Sequence, residues 1–454
     1  METSQNKDFL ATAPVGVLLR KLAIPTVLAQ LVNMLYNIVD RIYIGRMPEV
    51  GDLALTGVGL CMPIILIVSA FAALVSGGGA PRASIFMGQR RIDEAEEAMG
   101  GCFTLQIVAS LVLTAVFLLW SRDFLVAFGG SKHTIEYAAA YMNIYALGTL
   151  FVQLTLGMNA FISAQGFTRT SMLSVVIGAV CNIVLDPLFI FVLDMGVRGA
   201  ALATIISQAA SCTWILCFLF GKKTRLRLRR QHIRIRPRVV LPCIALGTAA
   251  FIMQSSESII AMCFNDSLQA YGGDMAVGAM TILTSVMQFA MLPLQGLGQG
   301  AQPILSYNYG AGNKQRVKDA FFCLLKVSLG YSLCLCALVE LFPQVFVGIF
   351  TPKAELIDFA SRALRVYFAG VSIFGLQVAC QMAFLSLGKA LSSITVAVMR
   401  KFILLLPLIY IVPRFMEDKT MGVYLAEPIA DVIAVCFTAA LFFFQFRKIL
   451  REMK

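Results

Sequence analysis

Charge is scarce in this sequence: of 454 residues only 25 are acidic and 37 basic, charged residues make up 14%, and hydrophobic residues reach 59%. A water-soluble domain with so little charge cannot cover its own surface, which excludes an ordinary globular fold. Histidine occurs only twice, as His133 and His232, both in loops between apolar runs. With no His/Cys/acid constellation and no nucleophile elbow, the chain is not expected to be an enzyme, and no cofactor is expected. The opening stretch METSQNKDFLATAPVGVLLRKLAIP lacks the charged n-region, short apolar run and small-residue cleavage site of a signal peptide, so the first apolar run is expected to stay. Cysteine is plentiful, with twelve residues, but Cys61, Cys102, Cys181, Cys212, Cys334 and Cys436 all sit inside apolar runs without metal-type or disulfide spacing. They read as small core hydrophobes.

What the chain has in abundance is apolar runs of membrane length. They fall at about 22–46, 53–80, 98–120, 136–162, 170–193, 198–220, 239–264, 275–303, 319–342, 358–387, 392–413 and 421–446, and each is expected to be a helix, because lipid offers the backbone no other partner. The expected fold is an all-α polytopic membrane protein of twelve transmembrane helices in two six-helix bundles, 1–221 and 239–454, joined by a basic linker at 222–238. That linker, KKTRLRLRRQHIRIRPR, carries much of the net charge of +12. A basic excess raises the question of nucleic acid, but here alternate loops hold the positive residues: Arg90 and Arg91, Arg169, the linker, Lys314, Arg316 and Lys318, Lys389, and the C-terminal Arg447, Lys448, Arg451 and Lys454. The positive-inside rule then places both termini and the linker in the cytoplasm of a cell-membrane protein. Membrane lipids are the expected partner of the linker, nucleic acid is not, and the chain is expected to be a monomer.

An internal repeat runs through the sequence at an offset of about 222 residues. Pro81 and Gly88 match Pro303 and Gly310, Ala98 matches Ala320, and Tyr145 with Gly148 matches Tyr367 with Gly370. Because each half has an even number of spans, both halves enter from the same side, and the pseudo-two-fold axis lies along the membrane normal. A cleft between two such bundles suits alternating access.

Polar groups inside spans are costly and therefore informative, an ionised side chain at mid-bilayer costing about 2.5–3.5 kcal/mol on insertion scales. On span 1, Gln30, Asn33, Asn37 and Asp40 recur at spacings of three, four and three, which aligns them on one helix face. Span 5 carries Asn182 one turn before Asp186, followed by Pro187, and span 6 carries Thr204, Gln208 and Ser211. Counting about 1.5 Å per residue, Asp40 lies roughly 9 Å below Arg46, Asp186 roughly 12 Å below Asp194, and Thr204 roughly 9 Å below Arg198. Two carboxylates, an amide and a hydroxyl at one depth supply an all-oxygen site, suited to a proton or to a hard cation such as Na⁺. The bland alternative is that Asp40 pairs with Arg41 at the interface and Asp186 caps a bent helix.

The second half is amide-rich, with Gln288, Gln295, Gln299 and Gln302 on span 8 and Gln377 with Gln381 on span 10, a pattern that serves either as interhelical glue or as ligand contacts. Glu257, within the polar stretch 254–258 of span 7, is read either as a partner for a cationic substrate or as a group facing water. Glu427 and Asp431 on span 12 are weaker candidates. Lys326, Arg400 and Lys401 are expected near the cytoplasmic ends, snorkelling to the interface. Pro25 and Pro187 are candidate hinges, since each removes a backbone donor from its helix.

The stretches NIVDRIYIG at 37–45, SAQGFTR at 163–169, NIVLDPLFIF at 182–191 and GVRGAALATIIS at 196–207, together with the repeat, resemble the multidrug and toxic compound extrusion (MATE) transporters over essentially the whole chain. The resemblance implies antiport of H⁺ or Na⁺ against organic, cationic and amphipathic small molecules. It also implies a coupling site at Asp40, Asn182, Asp186 and Thr204, with Asn159 as a nearby polar position. Two departures stand out: Arg41 directly follows Asp40, and no acid lies in the middle of span 10, where another branch of the family has one. The closer likeness is to the branch whose coupling site lies in the N-terminal half. A flippase for lipid-linked saccharides is the alternative within the same superfamily, and it would be expected to present cations to a pyrophosphate.

Overall fold

The protein is described by a computed structural model covering residues 9–48, 50–128, 130–131 and 133–453. Among these residues the chain is helical between short turns, with no strand.

Span 1 is Val15–Gly45, span 2 Gly51–Gly88 and span 3 Ile92–Ala127. Span 4 is bent by 58° between Ile135–Leu147 and Thr149–Ala164. Span 5 is Thr168–Pro187, extended by a π-helical turn Leu188–Val192, and span 6 is Gly196–Phe220. Spans 7 and 8 form one long element, Pro237–Gly310, broken at Gly273, whose φ of 62° only glycine adopts without strain. Span 9 is Lys314–Leu341, and span 10 is bent by 45° between Ala354–Phe368 and Val371–Ser386. Span 11 runs from Ala390 to Phe415 through a π-helical stretch Met399–Leu405, and span 12 is Lys419–Glu452. Twelve spans result among the described residues, as the apolar runs predict.

The repeat has a geometric counterpart. Spans 4 and 10 bend at Gly148 and Gly370, a matched pair 222 residues apart. The turn after span 2 puts Arg90 at φ 62°, and the turn after span 8 puts Gly312 at φ 72°. The second half therefore relieves with glycine a left-handed conformation that the first half imposes on an arginine.

By packing, the chain divides into two units, Ile24–Gln254 and Met1–Ala23 with Ser255–Lys454. The boundaries thus fall inside span 1 and span 7 rather than in the linker. In the first unit, Ala54, Val58, Cys61, Ile64, Tyr141, Met142, Tyr145, Ile190 and Ala200 pack into one apolar core. Spans 2 and 7 meet there backbone to backbone: a Cβ on Gly247 would lie 1.8 Å from the Leu74 carbonyl oxygen, and one on Gly78 would lie 1.9 Å from that of Cys243. Close helix contact through glycine is how spans associate where apolar burial gives no driving force.

The basic linker is folded against this same unit. Buried Glu96, at the start of span 3, accepts the Arg227 amide at 2.9 Å and pairs with Arg229 at 2.8 Å, while Glu97 pairs with Arg236. The Gln165 side-chain oxygen accepts from the Thr224 hydroxyl and from the amides of Arg225 and Leu226. Its sequence reads as a separate segment because basic residues dominate it, yet Leu226 and Leu228 are buried.

In the second unit, Phe264, Leu268, Leu283, Val339, Phe368, Ile409 and Tyr424 centre the core. Arg316 holds the N-terminal segment to this unit, donating to the carbonyl oxygens of Leu10 at 3.1 Å and Ala13 at 2.7 Å and to the Asn308 side chain at 3.1 Å.

Candidate coupling site

Asp186 is fully buried and Asn182, one turn earlier on span 5, is 2% exposed. The Asn182 amide donates to Asp186 Oδ1 at 3.2 Å. Asp40, approaching from span 1, is close enough to Asp186 for the two carboxyl groups to interact directly. Two carboxyl groups so close repel unless a proton or a metal cation lies between them. On span 6 the Thr204 hydroxyl donates to the Ala200 carbonyl at 3.0 Å and is joined by the hydroxyl of buried Tyr141 from span 4. Tyr36, one turn before Asp40, faces both acids.

Three oxygens of this group, Asp40 Oδ1, Asn182 Oδ1 and Asp186 Oδ2, are buried and have no hydrogen-bond partner in the protein. Each such oxygen carries its desolvation penalty unless a proton, a water or a cation reaches it. Together with the Thr204 hydroxyl they match the hard, all-oxygen preference of Na⁺ and the needs of a bound proton equally. No ion pair holds Asp40 or Asp186 among the described residues: Arg41 is exposed and turns to the Met62 sulfur at 3.5 Å. Pro187 lies next to this site and ends the α-helical part of span 5, where the π-helical turn begins. Such a turn re-aims side chains and is frequent at functional sites.

The remaining candidates are dispersed. Asn33 and Asn37 are exposed, with the Asn37 amide donating to the Asn33 carbonyl at 2.6 Å. Gln30 is half-buried and Pro25 buried within a continuous helix. Asn159 donates to the Ser171 carbonyl at 3.3 Å, three turns of span 5 before Asn182. In the second unit Gln288 is exposed, Gln377 is buried, and Gln381 donates to the Ser393 hydroxyl at 2.8 Å.

Arg400 and Lys401 depart from expectation. Rather than snorkelling at an end, both lie in the middle of span 11, 9% and 4% exposed. Arg400 donates to Asp431 at 2.7 Å and to Glu427 at 3.1 Å, and lies 4.6 Å from the centre of the Phe374 ring. Lys401 pairs with Glu257 at 2.7 Å. The physical reason is the π-helical stretch Met399–Leu405, which contains both residues. Neighbours in sequence diverge on a regular α-helix, and the wider turn lets both serve one polar cluster.

The repeat held a signal for this cluster. Aligning NIVLDP with FILLLP sets Leu406 opposite Asp186 and Phe402 opposite Asn182, and aligning LAT with LAE sets Glu427 opposite Thr204. The second half has thus lost the coupling carboxylate and gained a charged residue opposite Thr204. Tyr141 had no comparable signal, since a tyrosine in an apolar run reads as core.

His232 lies with Asp93 and Glu96 at the linker, ligand atoms within 4.8 Å of one another. Arg229 already occupies the Glu96 carboxylate there.

Helical spans that carry buried carboxyl and amide groups between apolar runs define a membrane transport protein. The MatE family pattern matches residues 25–188 and 248–411, one copy per half, and the chain belongs to that family. It is 25% identical over 355 residues to the multidrug export protein MepA of Staphylococcus haemolyticus, covering 78% of this chain and 77% of that protein. To MepA of Staphylococcus aureus strain NCTC 8325 it is 23% identical over 369 residues, 81% of each. Among solved structures, a MATE in the bent conformation superposes with a TM-score of 0.93 at 21% identity over all of both chains. A MOP superfamily transporter from Pyrococcus furiosus gives 0.90 at 22% identity, also over all of both chains.

Proposed function

We propose that the protein is a secondary antiporter that exports organic, cationic and amphipathic compounds across the cell membrane in exchange for H⁺ or Na⁺. The observation that carries the reading is the contact of Asp40 with Asp186, with three unpartnered oxygens around it. MepA, a multidrug export protein, supports the efflux direction and the substrate range. In the proposed cycle the cation enters between Asp40 and Asp186, Asn182 and Thr204 complete its shell, and binding draws spans 1, 5 and 6 together. A ligand shifts a conformational equilibrium only through differential affinity, so this packing must bind the cation more tightly than the alternative one. Pro25 and Pro187 are the bending points of the reading. Both termini lie in the cytoplasm in this orientation, a reading that the distribution of basic residues supports. The flippase alternative draws no support from span 11, whose buried cations are neutralised by carboxylates.

The test is ethidium efflux from proteoliposomes under an imposed pH or Na⁺ gradient. Wild type is expected to respond to one gradient, which names the ion, and Asp186→Asn to lose the response. Coupled efflux retained in Asp186→Asn overturns the site assignment, and no efflux under either gradient overturns the antiport reading.

A further inference from the structure

The second unit holds three acids within its spans that share one cluster, Glu257, Glu427 and Asp431, against two cations, Arg400 and Lys401. Their roles differ. Arg400 is fixed by two carboxylates, through Nε and one terminal nitrogen of its planar fork, and by the Phe374 ring. Glu427 and Asp431 are 5% and 2% exposed. Glu257 is the open member, its side chain 55% exposed although it lies mid-span, while its partner Lys401 is 5% exposed.

The charge count leaves one carboxylate over. Were a monovalent cation from outside to take Glu257, two cations and two acids would remain, and Lys401 stands within electrostatic reach of Glu427. Its four-carbon stem allows that transfer, whereas the clamped guanidinium of Arg400 does not.

Taking Glu257 as the partner of the cationic substrate, we propose that Lys401 is a tethered competitor, holding the carboxylate between transport events and withdrawing to the Arg400–Glu427–Asp431 cluster when substrate arrives. The inference rests on the antiport reading for its biological role. It assigns Lys401 a specificity function: compounds with a single positive charge match the cluster, and those too weakly basic to displace an ammonium do not enter. A built-in competitor also lowers affinity, which favours release.

Binding of tetraphenylphosphonium to the purified full chain in nanodiscs, without any gradient, tests this. Lys401→Met is expected to bind up to about fivefold more tightly than wild type, the order expected when one half-shielded ion pair no longer competes. Lys401→Arg, whose fork grips a carboxylate with two hydrogen bonds, is expected to bind more weakly than wild type, and Glu257→Gln to lose binding. Unchanged or weaker binding by Lys401→Met with an intact melting transition overturns the proposal, as does wild-type affinity in Glu257→Gln or no binding by any variant. Should Lys401→Met fail to fold, Lys401→Arg decides: affinity equal to or above wild type overturns the proposal. Gradient-driven ethidium efflux without these shifts overturns the Lys401 role alone. The shifts without gradient-driven efflux overturn antiport alone.

Discussion

Asn182 donates its amide to Asp186 across 3.2 Å, one turn of span 5 apart, and leaves its own carbonyl oxygen and the second Asp186 oxygen buried without partners. This bond orients the carboxylate toward Asp40 without neutralising it, since an amide is polar but uncharged. A lysine in its place would hold the site shut, as Arg400 holds the two acids of span 12.

Asn182→Ala removes one ligand oxygen and the bond that aims another. A hydrogen bond to a charged group contributes about 1.5–3 kcal/mol, so the coupling-ion concentration for half-maximal efflux is expected to rise at least about tenfold, with the maximal rate less affected. Proteoliposome titrations of the driving ion measure it, and an unchanged midpoint removes Asn182 from the site.

Gly247→Ala places a methyl group where 1.8 Å separates it from the Leu74 carbonyl oxygen, backbone that cannot move aside alone. Overpacking of this kind costs about 1–3 kcal/mol, and a lower melting temperature is expected by thermal-shift fluorimetry. Gly77→Ala is the control, since its methyl would meet the Ala250 side chain at 3.3 Å and backbone no nearer than the Gly247 Cα at 3.9 Å.

Arg400→Met leaves Glu427 and Asp431 buried and facing one another. Breaking a buried ion pair from one side costs about 3–5 kcal/mol, so this variant is expected to melt far below wild type. The triple change Arg400→Met with Glu427→Gln and Asp431→Asn removes charge from both sides and is expected to regain most of the loss.

Glu96→Gln weakens the anchor that receives the Arg227 amide and the Arg229 side chain. Trypsin is expected to cut the linker several-fold faster than in wild type, in inside-out vesicles only. Cleavage in right-side-out vesicles would reverse the orientation inferred from the basic loops.

How far the sequence alone reaches differs between the two halves. Polar spacing on span 1 and the pair Asn182 and Asp186 on span 5 mark the first-half site, because an acid in an apolar run has few bland explanations. Arg400 and Lys401 gave the opposite reading from equally plain residues. A cation in a span is compatible with snorkelling whenever its depth is uncertain, and a π-helical turn leaves no pattern in a one-dimensional string.

The sequence by itself determined the membrane class, the twelve spans and the two-fold repeat, because hydrophobic length and periodicity are local and lipid permits only helices. Tertiary structure alone decided that Asp40 meets Asp186, that Tyr141 joins Thr204, that Glu257 shares a cluster with Lys401, and that the basic linker lies folded on Glu96 and Gln165. Each of these is a contact between helices or loops far apart in the chain, and its energy depends on which faces the packing turns toward one another.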